Sequence, residues 1–449
     1  MREGGDVVTV GTGRTTRDAL ARRVAAARTR VTGFVARQYL AWRSRRGLDP
    51  LSLIPDYALM PLRREGLDPV PALREYREDH PVRDFPLPFG VKAWLVTGHE
   101  EAREVLGRTR GLSTDFGHLV GRAGIGSGQN PGGLGFTDPP EHTRLRHLLT
   151  PEFTGRRLSR LGPRITAIVE GRLDAMAELE ASGGEVDLVR DFATPIPSLT
   201  ICELLGIPYE ERDEFQALST ARFDLLAGAT AAFDKISESL VYLRGVVERQ
   251  RETPGDGLLG MLIREHGDEL DTDELAELAD GLLTGGLETS ASMLALGSVL
   301  VLRDPAVAAM VRDEPDSVHG FVEELLRYLT VVQIAFPRFA TEDMTIGGVD
   351  LAEGDGILVS LSAADRDPRL TPDPEVFDPR RTPTPHLAFG HGIHRCIGAE
   401  LARMELRTAY PALLKRFPRI AMAADERTLP LRTTSIVYGV DALPVTLNR

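Results

Sequence analysis

Between residues 140 and 330, one segment after another carries apolar residues at three- and four-residue spacing: 141–150, 155–181, 191–205, 209–227, 230–252, 256–265, 272–303, 305–312 and 316–330. That period lays an apolar stripe along a helix, and a run of this kind restricts the chain to an α-rich architecture. A short strand is expected in "KAWLV" (92–96), ahead of a helix in "HEEAREVL" (99–106). Further β-type segments come late, in "DMTIGGVDLAEGDGILVSL" (343–361) and near the C-terminus, and a last helix spans about 396–415. Pro-rich "RDPRLTPDPEVFDPRRTPTP" (366–385) reads as irregular loop, as does Gly-rich 111–136; a loop that long is usually functional or unstructured. No internal repeat or flexible linker interrupts the series. The expectation is a single domain over 51–449, mainly α with a small β part.

Charge divides the chain. Residues 1–46 hold eleven Arg against three acidic residues, while all 449 residues together carry −13. Leu20, Val24, Ala27, Val31, Val35, Tyr39 and Trp42 give this N-terminal extension (1–50) a helical apolar face. Such a segment packs on the body of the protein, forms a partly mobile arm, or meets an anionic membrane surface or a partner. The acidic balance argues against a general nucleic-acid binder. Two cysteines cannot build a disulfide framework, which fits a reducing cytoplasm. No apolar run of roughly eighteen residues and no signal-type segment stands out, so no transmembrane anchor is expected.

One of the cysteines, Cys396, lies in "FGHGIHRCIG" (389–398). By the helical spacing of Ile397, Leu401 and Met404 it opens the last helix, where unpaired backbone N–H groups and the positive helix end stabilise a thiolate. Gly390, Gly392 and Gly398 permit a tight turn and a close backbone approach to something flat or bulky; His394 and Arg395 add donors. A lone thiolate makes a poor structural zinc site, whereas an axial ligand to haem iron needs only one. A nucleophile pair with His394 is another chemistry open to these residues, though it accounts for neither the glycines nor Phe389. Burial as a small hydrophobe is the commonplace role of a cysteine, and it is the one read for Cys202 in "LTICELLG".

The pattern F-G-x-G-x-H-x-C-x-G, here Phe389, Gly390, Gly392, His394, Cys396 and Gly398, resembles the haem-binding signature of cytochrome P450s, of the soluble bacterial and actinobacterial kind. The resemblance implies the single-domain P450 fold, haem b (iron protoporphyrin IX) as cofactor, and Cys396 as proximal metal ligand. It also implies Phe389 packed near the thiolate and His394 on a propionate. Other segments match in order. "EELLRY" places Glu324 and Arg327 one turn apart; alone, such a pair is usually solvated. About seventy residues before the cysteine, it resembles the family's buried Glu–Arg pair, with Arg381 or Arg380 as third partner. "GGLETS" (285–290) sets Gly285 and Gly286 inside a helix, at a cost of about 1–2 kcal/mol relative to Ala. Close helix packing would explain two glycines. The segment also resembles the family's distal helix, kinked to leave a groove for O2, with Thr289 hydrogen-bonding the bound oxygen and Glu288 feeding protons. By position in "DPPEHTRLRHLL" (138–149), His142 and Arg146 would bind propionates, as would Arg338 of "FPRFATED".

These matches imply a monomeric haem-thiolate monooxygenase that places one atom of O2 into an apolar small molecule, by hydroxylation or epoxidation. Electrons would come from a separate ferredoxin and ferredoxin reductase, docking on Arg144, His147, Arg156, Arg157 and Arg160. Leu282, Val332, Ile334, Phe336 and Ile436 would line the substrate pocket, together with loop 111–136 and the segment 222–233; a secondary metabolite or a lipid fits. The alternatives are an H2O2-driven peroxygenase and a non-catalytic P450-like partner-binding scaffold. The Glu288–Thr289 pair speaks against the first and Cys396 against the second.

Overall fold

The computed structural model describes residues 55–85, 87, 92–115, 134–207, 229–433 and 435–447. The N-terminal extension, most of loop 111–136 and the helix expected at 209–227 lie outside the described residues. Within them the helical series holds, with proline setting boundaries. Pro163 sits in the first turn of Gly162–Ala181, after a separate turn of helix Gly155–Leu158. Pro195 opens Pro195–Leu205, after a π-helical turn Val189–Ala193. A proline there lacks only a donor that would have no helical partner, so the segment expected at 191–205 is split in two, and that at 155–181 in three, with a 3-10 turn Ser159–Leu161 between its α-helical parts.

The organising element is the helix Thr272–Arg303. Asp271 accepts from the Glu274 N–H at 2.8 Å, while Glu274 reaches back to the Asp271 N–H at 3.1 Å, a reciprocal cap that satisfies two orphan donors. From Leu287 to Val301 every residue except Thr289 is buried, because Ala229–Glu252, Pro195–Leu205, Val318–Leu329 and Ala399–Arg416 all pack on it. Among the described residues this is the one helix long and apolar enough to cross a membrane, and 78% of its most apolar stretch is buried inside the protein. Tyr410 fastens the last helix to it, donating to the Met293 carbonyl at 2.6 Å.

The β part is larger than the sequence indicates. A five-stranded sheet runs in the order Val82–Asp84, Ala93–Val96, Gly356–Val359, Arg338–Ala340, Leu112–Ser113. Ala93–Val96 and Gly356–Val359 are parallel; the other neighbours are antiparallel, and Arg338 lies opposite Ile357. The hairpin Arg64–Glu65/Asp68–Pro69 and the strand Val82–Asp84 fall among Pro55, Pro61, Pro69, Pro71 and Pro81, where no strand is expected. At two or three residues each they are too short for period-two alternation to register.

Glu324 and Arg327 form a buried ion pair, their side chains 2% and 1% exposed. The third partner is Arg381, 3.2 Å from Glu324; Arg380 pairs with Glu314 at the surface instead. Arg327 also donates to the carbonyls of Asp365, Pro374 and Val376. One side chain thereby fastens helix Val318–Leu329 to the irregular segment that leads to Cys396.

Candidate active site

Cys396 lies before the last helix rather than in its first turn. The helix begins at Ala399, with Gly398 as its N-cap; ahead of it Gly392–His394 forms a tight turn, and the Cys396 N–H donates to the Phe389 carbonyl at 2.8 Å. The apolar period at Ile397 thus starts while the chain is still in the loop. Burial pushes the Cys396 thiol up, and the Gly398 N–H with the Arg146, Arg395 and Arg403 guanidiniums pulls the other way. The residue itself keeps accessible surface.

The glycines of the loop have different reasons. Gly390 and Gly392 adopt φ of +67° and +72°, where any side chain is strained. A Cβ on Gly392 would also stand 2.1 Å from the Leu106 carbonyl oxygen, so this glycine answers to the neighbouring helix His99–Gly107. Gly398 would put a Cβ 3.9 Å from the Cys396 sulfur. Phe389 is covered by the Arg403 guanidinium, 4.6 Å from its ring centre, and Arg403 is itself held by Glu323 at 2.7 and 2.8 Å.

A second group of side chains gathers from three parts of the chain. The rings of His142, on helix Glu141–Leu149, and His394 stand 4.3 Å apart. Both ring nitrogens of His142 and Nδ1 of His394 are buried without a hydrogen-bond partner. Arg338, 4% exposed on its strand, donates to the Phe336 carbonyl at 2.6 Å. Burial, then Arg338 and His142, push His394 down to about 3; burial and Arg146 lower His142; burial takes Arg338 to about 10. Arg146, one turn beyond His142, acts on both His142 and Cys396. Asp138 is the carboxylate these groups face, and it is engaged by the Thr114 N–H and hydroxyl, both at 2.9 Å. Buried ring nitrogens without partners, beside the guanidiniums of Arg338 and Arg146, are groups that call for an anion. Two carboxylates reaching this cluster from a group ligated at Cys396 would supply it, which is what haem offers; the residues present fit that cofactor.

On the long helix the two adjacent glycines separate. A Cβ on Gly286 would lie 2.6 Å from Ile201 Cδ1, so Gly286 answers to helix packing; Gly285 meets nothing within 4 Å and is exposed. The helix runs unbroken through both, and the Thr289 hydroxyl donates to the Gly285 carbonyl at 2.7 Å. Glu288 is buried and ion-paired with Arg432. Arg432 lies 144 residues away, so no local sequence signal marks it.

The expected pocket residues converge in part. Val332 bridges Val437, Gln333 N–H donates to the Ile436 carbonyl at 3.0 Å, and Tyr438 N–H to Val331 at 2.8 Å, so 331–333 and 436–438 run side by side, while Ile334 bridges Ser360. Ile334, Phe336 and Ile436 stay outside the packed apolar clusters, whereas Leu282 and Val332 pack against them. Phe336, 45% exposed, meets the edge of Phe136 at 4.7 Å, a contact no motif announced. The basic patch is partly neutralised within the chain: Arg144 pairs with Glu141 and Glu274, and Arg157 and Arg160 share Glu152.

A family model described as Cytochrome P450 matches residues 232–439. Cytochrome P450 FAS1 of Rhodococcoides fascians is 40% identical over 86% of this chain and 97% of its own. Mycinamicin IV hydroxylase/epoxidase of Micromonospora griseorubida is 38% identical over 83% of this chain and 94% of its own. The structure of P450 StaH from glycopeptide antibiotic A47934 biosynthesis superposes with a TM-score of 0.75 at 39% identity, covering 86% of this chain and 99% of that one. With that likeness along most of its length, the chain belongs to the cytochrome P450 family and is a haem-thiolate monooxygenase.

Proposed function

We propose that the chain binds haem b through Cys396, with Phe389, Gly390 and Gly398 shaping the loop around the thiolate, and oxidises an apolar small molecule by hydroxylation or epoxidation. The observation that carries this reading is the set of buried, partnerless ring nitrogens on His142 and His394 beside Arg338. When bound, the cofactor supplies thiolate-supported O2 activation. His142, His394, Arg338 and Arg146 would hold its two propionates by charge-assisted hydrogen bonds. Gly285, open on the long helix, leaves room beside Thr289. Glu288 takes protons from the solvent side and Thr289 Oγ1 delivers them. To act in this way the Thr289 hydroxyl would leave the Gly285 carbonyl, to which it now donates at 2.7 Å.

Ile334, Phe336 and Ile436 supply spare apolar surface for the substrate body, with Leu282 and Val332 behind them. A secondary metabolite is the favoured class, since one relative's name is a hydroxylase/epoxidase of mycinamicin IV and another's places it in antibiotic biosynthesis. Electrons come from a ferredoxin and its reductase, for which His147 and Arg156 are the patch residues not engaged in the ion pairs described above. Reduction under carbon monoxide tests the ligand: the protein should show the strongly red-shifted Soret band of thiolate ligation, and Cys396→Ala should lose it. Thr289→Ala should release peroxide in place of product. A Cys396→Ala protein that keeps the band, or a Thr289→Ala protein that stays fully coupled, refutes the corresponding role.

A further inference from the structure

We infer that Arg432 is a positioning residue that holds Glu288 as an ionised carboxylate at the long helix; the inference rests on the proton-relay reading of Glu288. Arg432 stands on a C-terminal hairpin closed by the Leu431–Val440 bridge and by its own N–H donating to the Gly439 carbonyl at 2.9 Å. Its Nε is fixed by Asp441 at 2.6 Å, which leaves the NH1 end for Glu288. The hairpin lies directly on the helix. A Cβ at Gly439 would stand 2.8 Å from Ser292 Oγ and 3.2 Å from Arg432 NH1, so glycine there is what lets the guanidinium pass to Glu288, one turn before Ser292.

The side chains step outward in exposure, from 11% at Glu288 through 25% at Arg432 to 61% at Asp441. The pair therefore joins a buried carboxylate to the surface. A buried carboxyl without a counter-ion takes a proton and turns neutral; the guanidinium keeps this one charged and aimed. An ionised acid can accept a proton arriving from solvent and pass it on. A protonated one must give up its own proton before it can receive the next. Arg432 thus sets the state from which Glu288 works without touching the reacting atoms.

The test uses full-length, haem-loaded protein and infrared difference spectra of the carboxyl region at neutral pH, with the Glu288 band assigned by its loss in Glu288→Gln. Arg432→Gln should convert that band from carboxylate to protonated carboxyl. Product formed per NADPH should fall and peroxide rise, while the substrate dissociation constant from spectral titration stays unchanged. Arg432→Lys, which restores a cation, should recover the carboxylate band and most of the coupling. Should Arg432→Gln fail to load haem, Arg432→Lys against wild type still reads the same band. An Arg432→Gln protein with an ionised Glu288, or an Arg432→Lys protein with a protonated one, overturns the inference. A band that shifts as expected while Glu288→Gln remains fully coupled leaves the hold of Arg432 standing and refutes the relay role of Glu288.

Discussion

Glu405 allows the handling of buried charge in this fold to be measured directly. It sits on the last helix, 2% exposed, with hydrogen bonds to Ser290 and Thr200 and no partner for Oε2. Burial pushes its carboxyl from 4.5 up to about 8, against the smaller pull of those two hydroxyls. Folding therefore takes up a proton at any pH between the two values. The stability this group contributes is complete below about 4.5, declines as pH rises, and is lost as pH passes about 8. At about 1.4 kcal/mol per pH unit, the loss between roughly pH 5 and pH 8 comes to about 3–4 kcal/mol. That is a large part of the roughly 5–15 kcal/mol that holds a typical protein together. Glu405→Gln keeps the shape and the hydroxyl contacts but cannot ionise. Urea denaturation at the two pH values should find it close to wild type at the lower and more stable by about 3–4 kcal/mol at the higher. Taking the difference between variant and wild type cancels every other titrating group that the substitution leaves alone. A gap of the same size at both pH values would refute a buried neutral acid at this position.

Arg327→Ala strips the buried pair of its cation and frees the carbonyls of Asp365, Pro374 and Val376; a loss of about 3–5 kcal/mol is expected in the same denaturation assay, and one below about 1 kcal/mol would mean that water replaces the guanidinium. Gly392→Ala and Gly390→Ala share the same φ penalty of about 1–2 kcal/mol, but only the first drives a Cβ into the Leu106 carbonyl. Haem content per chain should fall well below wild type in Gly392→Ala and stay near it in Gly390→Ala; equal loading of the two would deny the close approach.

Signals carried within one turn of chain were legible, and those made across the fold were not. The helix series, the cysteine loop and the Glu324–Arg327 spacing all depend on neighbours three to ten residues apart, which the sequence displays. The start of the last helix came three residues late because Ile397 keeps the apolar period while Cys396 still bonds back to Phe389. Gly286 carried no mark separating it from Gly285, since its reason is Ile201 on another helix. The choice between Arg380 and Arg381 was open for the same cause: both flank one turn, and only the packed position of Glu324 selects between them.

Four buried acids of the fold differ in their partners, and the difference bears on Glu288. Glu323 is held far below the usual carboxylate range, burial being outweighed by Arg403 and His386, and Glu324 is clamped between Arg327 and Arg381. Asp365 and Glu405 have no such clamp; burial raises both. An arginine beside the carboxylate is what offsets burial at Glu323, and none is among the groups acting on Asp365 or Glu405. Glu288 also has an arginine partner, but this one differs from the others: Arg432 lies on a surface-facing hairpin and its far side meets the exposed Asp441. The Glu323 and Glu324 clamps are built into the scaffold around the cysteine loop. The Glu288 clamp opens toward water, which is the arrangement a proton carrier needs and a purely structural pair does not.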